Sequence, residues 1–310
     1  MPQSRVSHNL RYLLTILDGL VRRLTCEPTH PQTMRLFRLA LYVWLACYFL
    51  LLLPAAHHFW SPHAYVVPAR PNPSVFDQIF NLLDLPTVGA YWPAFLVCFF
   101  LAIGLGLIGW WPRIMALAIF FLVKNLDNKS WSILNGGNNL IELMLLYNLF
   151  IQPTTSNQNL TISATVNNSL TNIAFYAARF QLVLVYTVAG LAKLQGRLWP
   201  HGVALYYVLR TDEYSHPWAR RLIEDSDLLI GLGSYAPVVF MLAFPWLIWN
   251  RKTRVGLLLF GAFFHLGIAF IMGLVDFATA MIACYTVWFA DRWSGMLLAA
   301  LWPQTVKNKC

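Results

Sequence analysis

Lys193 closes the apolar run QLVLVYTVAGLAKLQGRLWPHG (181–202), with Trp199 and Gly202 just beyond it. An ammonium at the end of a membrane helix ordinarily snorkels to the headgroups. If it faces the interior of a bundle instead, its charged form is disfavoured, and the neutral amine can take a proton from a weakly acidic substrate. Both readings of Lys193 are open. His265 lies mid-run in LLLFGAFFHLGIAF (257–270), either as a satisfied core histidine or as a ligand. No second histidine stands four residues away, so no metal-binding motif is present. Glu142 sits within NNLIELMLLY (138–147), where an isolated charge is expensive. It is expected to face inward, protonated or paired. In Asn135-Gly136-Gly137-Asn138-Asn139, two glycines permit close backbone approach and three amides offer donors and acceptors at a helix start. The segment is either a helix cap or the polar floor of a pocket near Lys193. Asp276 either pairs with Lys193 or marks a turn. His57, His58 and His63, beside Trp60, read as an interfacial belt, with a metal site as the alternative.

An unsatisfied polar group in hydrocarbon costs several kcal/mol. Lys193, Asn135, Asn138, Asn139, Glu142 and His265 are therefore expected around one partly wet cavity. Tyr186, Trp199, Phe263 and Phe264 are candidates for its aromatic walls.

The elements that would hold these residues are membrane helices. The 310 residues are 58% hydrophobic and 11% charged, against about 25% charged in soluble domains. The net charge of +9 is read as topogenic rather than nucleic-acid-binding. Cys26, Cys47, Cys98, Cys284 and Cys310 form no CxxC pair and read as small hydrophobes. Crossing a bilayer takes about 20 mostly apolar residues. Leu36–Leu53, Trp92–Trp110, Ala174–Ala192, Leu228–Trp249 and Val255–Leu274 qualify; Pro112–Val123, Asn139–Ile151 and Phe277–Ala290 are shorter. The fold class expected is all-α: a polytopic transmembrane helical bundle of about eight spans. An amphipathic N-terminal helix over 1–30 would precede a membrane domain over 31–300 and a short tail over 301–310. Leu10, Leu13, Leu14, Leu17, Leu20, Val21 and Leu24 share one face of that first helix. The uncharged, Asn-, Ser- and Thr-rich Gln152–Asn172 is expected to be a flexible connector.

Basic residues at Arg5, Arg11, Arg22, Arg23 and Arg35, at Arg113, at Arg251-Lys252-Arg254, and at Lys307 and Lys309 fall on one side of such an alternation. The positive-inside rule then predicts both termini in the cytoplasm of a multi-pass protein of the cell (inner) membrane. The lipid bilayer is the partner this implies; nucleic acid is not.

The segment Ala189-Gly190-Leu191-Ala192-Lys193-Leu194, followed by Trp199 and Gly202, resembles the core motif of the vitamin K-dependent gamma-carboxylase superfamily. Its bacterial members are the horizontally transferred transmembrane (HTTM) proteins, and the likeness is to the small type without a lumenal domain. Tyr186 matches an aromatic one turn before the Ala-Gly pair. Asn135–Leu140 is similar to an N-G-G-D/N-N-L segment of that family, and Phe263-Phe264-His265-Leu266 with Met272-Gly273-Leu274 and Phe277 to its late pair of spans. The resemblance implies Lys193 as base, a quinone as the molecule acted on, or a role in maturing a small exported peptide with a partner membrane subunit. Asn and Gly replace a histidine of the carboxylases near 135–140, so glutamate carboxylation is not implied. Whether the chain is an enzyme stays open. A transporter or channel lined by Glu142, His265 and Lys193, and a non-catalytic assembly partner, are the alternatives.

Overall fold

The computed structural model describes residues 29–64, 79–152, 161–211 and 214–301, together with Gly19 and Thr25. The amphipathic segment Asn9–Leu24 and the C-terminal tail lie outside the described residues. The principal helices are α1 (Pro31–Leu52), α2 (Trp92–Leu107), α3 (Pro112–Lys129), α4 (Gly136–Asn148), α5 (Ile162–Gln195), α6 (Asp227–Leu247), α7 (Arg251–Met272), α8 (Val275–Cys284) and α9 (Asp291–Leu301). No strand occurs among the described residues.

Local chemistry explains most of the boundaries. Pro31, Pro93 and Pro112 stand in the first turns of α1, α2 and α3, where a missing N–H costs nothing. Thr161, Ser226 and Asn250 cap α5, α6 and α7 through their side-chain oxygens. Gly273 ends α7 in the left-handed region at φ 75°, a conformation glycine adopts without a Cβ penalty.

Among the described residues, four helical stretches are long and apolar enough to cross a membrane: Pro31–Trp60, in which α1 continues through a 3-10 turn and a short helix, then α5, α6 and α7. The protein is therefore membrane-embedded, and the expected count of about eight spans is corrected to four. The reason is length and charge. Helix α2 has 16 residues, about 24 Å at 1.5 Å per residue, short of the roughly 30 Å hydrocarbon core. Helix α4 has 13 residues and α8 has 10. Helix α3 has 18 but carries Arg113, Lys124, Asp127 and Lys129. Hydropathy does not distinguish an apolar run that reaches across lipid from one buried within protein. Helix α8 is of the second kind: it lies against α1, α4 and α7, with Ala278, Ala280, Met281 and Cys284 buried.

The flexible connector is also corrected in part. Helix α5 begins at Ile162 and runs for 34 residues. Thr171 and Asn172 are fully buried. Thr171 donates to the Phe150 carbonyl at 3.0 Å, and Asn172 Oδ1 accepts from Thr29 N at 3.0 Å. Amides and hydroxyls that read as loop residues by composition are satisfied by tertiary partners and stay helical.

The helices alternate in direction between two ends. At one end Thr33 meets Asp291, Arg38 meets Asn148, Arg113 meets Asn167 and Arg254 lies over Trp288. At the other, Lys129 meets Asp84, Asn135 meets Asp276 and Lys193 lies over Trp199. Arg38, Arg113 and Arg254 thus lie at the first end; Lys193 stands at the opposite one, where Arg210 and Arg220 pair with Glu224.

Candidate functional site

In the last third of α5, Tyr186 points into the bundle. Its hydroxyl lies 2.7 Å from His265 Nε2 on α7 and 2.5 Å from the Tyr285 hydroxyl just after α8. All three side chains are buried. Phe240, Phe244, Phe264 and Phe277 surround them. His265 Nδ1 has no hydrogen-bond partner. The two tyrosine hydroxyls and one imidazole form a hydrogen-bonded chain able to relay a proton across three helices. Gly261 makes room for it: a Cβ there would come within 2.3 Å of the Tyr285 hydroxyl.

Lys193 follows Tyr186 by seven residues on α5. It therefore shares the same helix face, about 10 Å further along the axis. Between them Gly190 lets α5 approach α6, where an added Cβ would lie 3.1 Å from Met241 Cβ. The Lys193 ammonium sits half-buried, 4.7 Å from the centre of the Trp199 ring, a cation–π contact. No carboxylate forms an ion pair with it among the described residues. Asp276 does not partner Lys193; its Oδ2 accepts from Asn135 Nδ2 at 2.5 Å.

Asn135–Asn139 form the helix cap, the first of the two readings. Asn135 Oδ1 accepts from Gly137 N at 2.7 Å, and Asn138 Oδ1 accepts from Asn135 N at 3.1 Å, a reciprocal capping box. Asn139 is exposed. Gly137 seats α4 on α8, since a Cβ would stand 3.0 Å from Phe277 Cα. Phe277 in turn stacks edge-on against His265, ring centres 5.6 Å apart. The Asn135 cap and the Tyr186–His265–Tyr285 chain thus share one wall.

Glu142 is paired: its Oε2 accepts from Lys124 Nζ at 2.8 Å. The Asp127 carboxyl lies beside it, and burial together with the Glu142 charge pushes the Asp127 pKa up. This group lies between α3 and α4. Phe263, an expected wall residue, is 76% exposed and faces away from the bundle, whereas Phe264 faces inward. His57 lies near His58 and Trp92.

The candidate residues therefore fall into three neighbouring groups: Lys193 with Trp199, Tyr186 with His265, and Glu142 with Lys124. The Asn135 cap lies beside the second. A cavity of about 450 Å³ opens elsewhere, at the arginine-rich end, and none of these residues lines it. Set beside known proteins, the chain matches no family model, no curated protein and no solved structure.

Two residues of consequence escaped the sequence reading. Tyr285 supplies the second hydroxyl; its signal was a phenol in an apolar run, a group that needs a partner when buried. Arg179, inside the expected span Ala174–Ala192, donates from Nε to the Val287 carbonyl at 2.8 Å and lies over Phe175 and Trp288. A charge inside a span was its signal.

Proposed function

We propose that this chain is a membrane enzyme of the gamma-carboxylase-like, HTTM kind, in which Lys193 is the base toward a weakly acidic quinol. The observation that carries the reading is the setting of Lys193: half-buried, faced by Trp199 and without an acid partner among the described residues. A lysine locked to a carboxylate stays an ammonium. An unlocked amine in low-dielectric surroundings can accept a proton. In the proposed step the substrate O–H bond breaks, its proton passes to the neutral Nζ, and the electron pair stays on oxygen as an anion beside the new ammonium. Trp199 offers a flat face against which an aromatic ring can stack. The Tyr186–His265–Tyr285 chain lies on the same face of α5, about 10 Å away along the axis. A small exported peptide or a partner membrane subunit would take up the activated product.

The bundle is assigned to a cell (inner) membrane, its arginine-rich end and both termini toward the cytoplasm, on the positive-inside rule.

Replacing Lys193 with Met tests the chemistry, because it keeps length and removes the base. The variant is expected to insert at wild-type levels and to fail to restore a strain deleted for the gene. Its loss should be about 10²-fold or more, the usual contribution of a positioned base. A fully active Lys193→Met protein eliminates the enzyme reading and leaves the assembly partner. A second reading, proton-coupled transport, is favoured by the Lys124–Glu142–Asp127 group inside the bundle. It predicts the opposite pattern, with Glu142→Gln inactive and Lys193→Met active.

A further inference from the structure

The cavity at the arginine-rich end lies outside the proposed chemistry. It opens between the first turns of α1, the end of α2 and the segment after α4, and has a volume of about 450 Å³. Arg35 and Arg38 line it, one turn apart on α1, together with Gln152. Leu39, Leu107 and Ile108 supply an apolar flank.

Neither arginine has a counter-charge among the described residues. Arg38 donates from Nε to Asn148 Oδ1 at 3.2 Å and from Nη2 to the Ile151 carbonyl, both neutral acceptors. Arg35 is exposed and makes no hydrogen bond or ion pair among the described residues. Like charges three residues apart on a helix repel one another. Two guanidiniums held at one cavity mouth, with no carboxylate beside them among the described residues, are suited to a phosphate, which the unused fork of Arg35 and the remaining donors of Arg38 match.

The depth of the cavity indicates where that phosphate comes from. Trp110 and Trp111 stack 4.7 Å apart at the turn beyond Gly109, and both are exposed. Exposed tryptophans at a helix end mark the headgroup level of a bilayer. Below them the exposed Leu107 and Ile108 continue toward the hydrocarbon. A charged mouth above an apolar flank has the polarity of a phospholipid.

We infer that this cavity binds the phosphate of an anionic phospholipid, held by Arg35 and Arg38, with its acyl chains along Leu39, Leu107 and Ile108. Such a lipid would neutralise the two arginines and tie α1 to the ends of α2 and α4.

The test uses the full chain in a neutral detergent. Binding is read by native mass spectrometry and by the thermal midpoint. The probes are phosphatidylglycerol, phosphatidylcholine of the same chains, and inorganic phosphate. Phosphatidylglycerol is expected to bind at least tenfold more tightly than phosphatidylcholine and to raise the midpoint. Arg35→Gln should lower that preference by about tenfold, as expected for one charge-assisted contact. Arg35 holds nothing else in place, so this variant reads the site even where Arg38→Gln fails to fold. Equal affinity for the two lipids, or an unchanged preference in Arg35→Gln, overturns the inference. An equal rise of the midpoint with inorganic phosphate overturns the lipid assignment in favour of a soluble ion. Lys193 lies at the opposite end of the bundle, so none of these outcomes depends on its role.

Discussion

At the scale of single residues, His30 sits just before α1 with its ring 5.7 Å from that of Phe175. Burial, reinforced by the Arg179 guanidinium, holds its pKa down at about 4, against an ordinary value near 6.5. Between these values the unfolded chain binds the proton and the folded one does not. The stability due to neutral His30 is therefore complete above about pH 6.5 and is lost as the pH falls toward 4. The thermal midpoint in detergent is expected to drop across this window, and His30→Gln should drop less. Parallel curves for the two proteins would remove His30 from the acid sensitivity. The chain Tyr186–His265–Tyr285 belongs to the same scale. His265 was visible as a histidine amid aromatics, but its partners stand 79 and 20 residues away in sequence, and no local pattern links them.

At the scale of elements, the short helix α8 organises the site because two glycines on different helices admit it. An added methyl at Gly137 of α4 meets the backbone of Phe277, which cannot turn aside, and one at Gly261 of α7 meets Tyr285 and Phe240. Gly256, on the same α7, faces open space. Gly137→Ala and Gly261→Ala are expected to destabilise the protein by about 1–3 kcal/mol, the usual cost of overpacking. Gly256→Ala should be neutral or gain slightly, since alanine is the better helix former. Unfolding of the three variants in detergent checks this; equal effects would show that α8 is not seated as tightly as its contacts require. The cap of α4 was legible beforehand, because a capping box joins residues three apart. The start of α5 at Ile162 was not, because Asn and Thr favour loops until a distant partner satisfies them.

At the scale of the whole molecule, Arg35, Arg38, Arg113 and Arg254 collect at one end, whereas at the Lys193 end Arg210 and Arg220 are paired with Glu224. Thr33 at the start of α1 meets Asp291 at the start of α9, so if the positive end is cytoplasmic, the described chain begins and ends on that side. A reporter active only outside the cytoplasm, fused after Cys310, is expected to give no signal. The same reporter inserted near Gln195 should give a strong one. The reverse result would overturn the orientation and place the proposed base in the cytoplasm.

Composition by itself determined that the chain is helical and embedded in a membrane. A surface with so few charges cannot be wetted, and lipid leaves the backbone of such a chain the helix as its way to satisfy every N–H and C=O. Spacing in the sequence also offered the α4 cap at Asn135, whose hydrogen bonds close within three residues. Only the tertiary structure decided which apolar runs are long enough to cross and which are buried in protein. It also decided that Asp276 answers Asn135 rather than Lys193, and that Glu142 answers Lys124. Those choices depend on which helices become neighbours. A buried polar group takes whichever partner packing brings within about 3 Å.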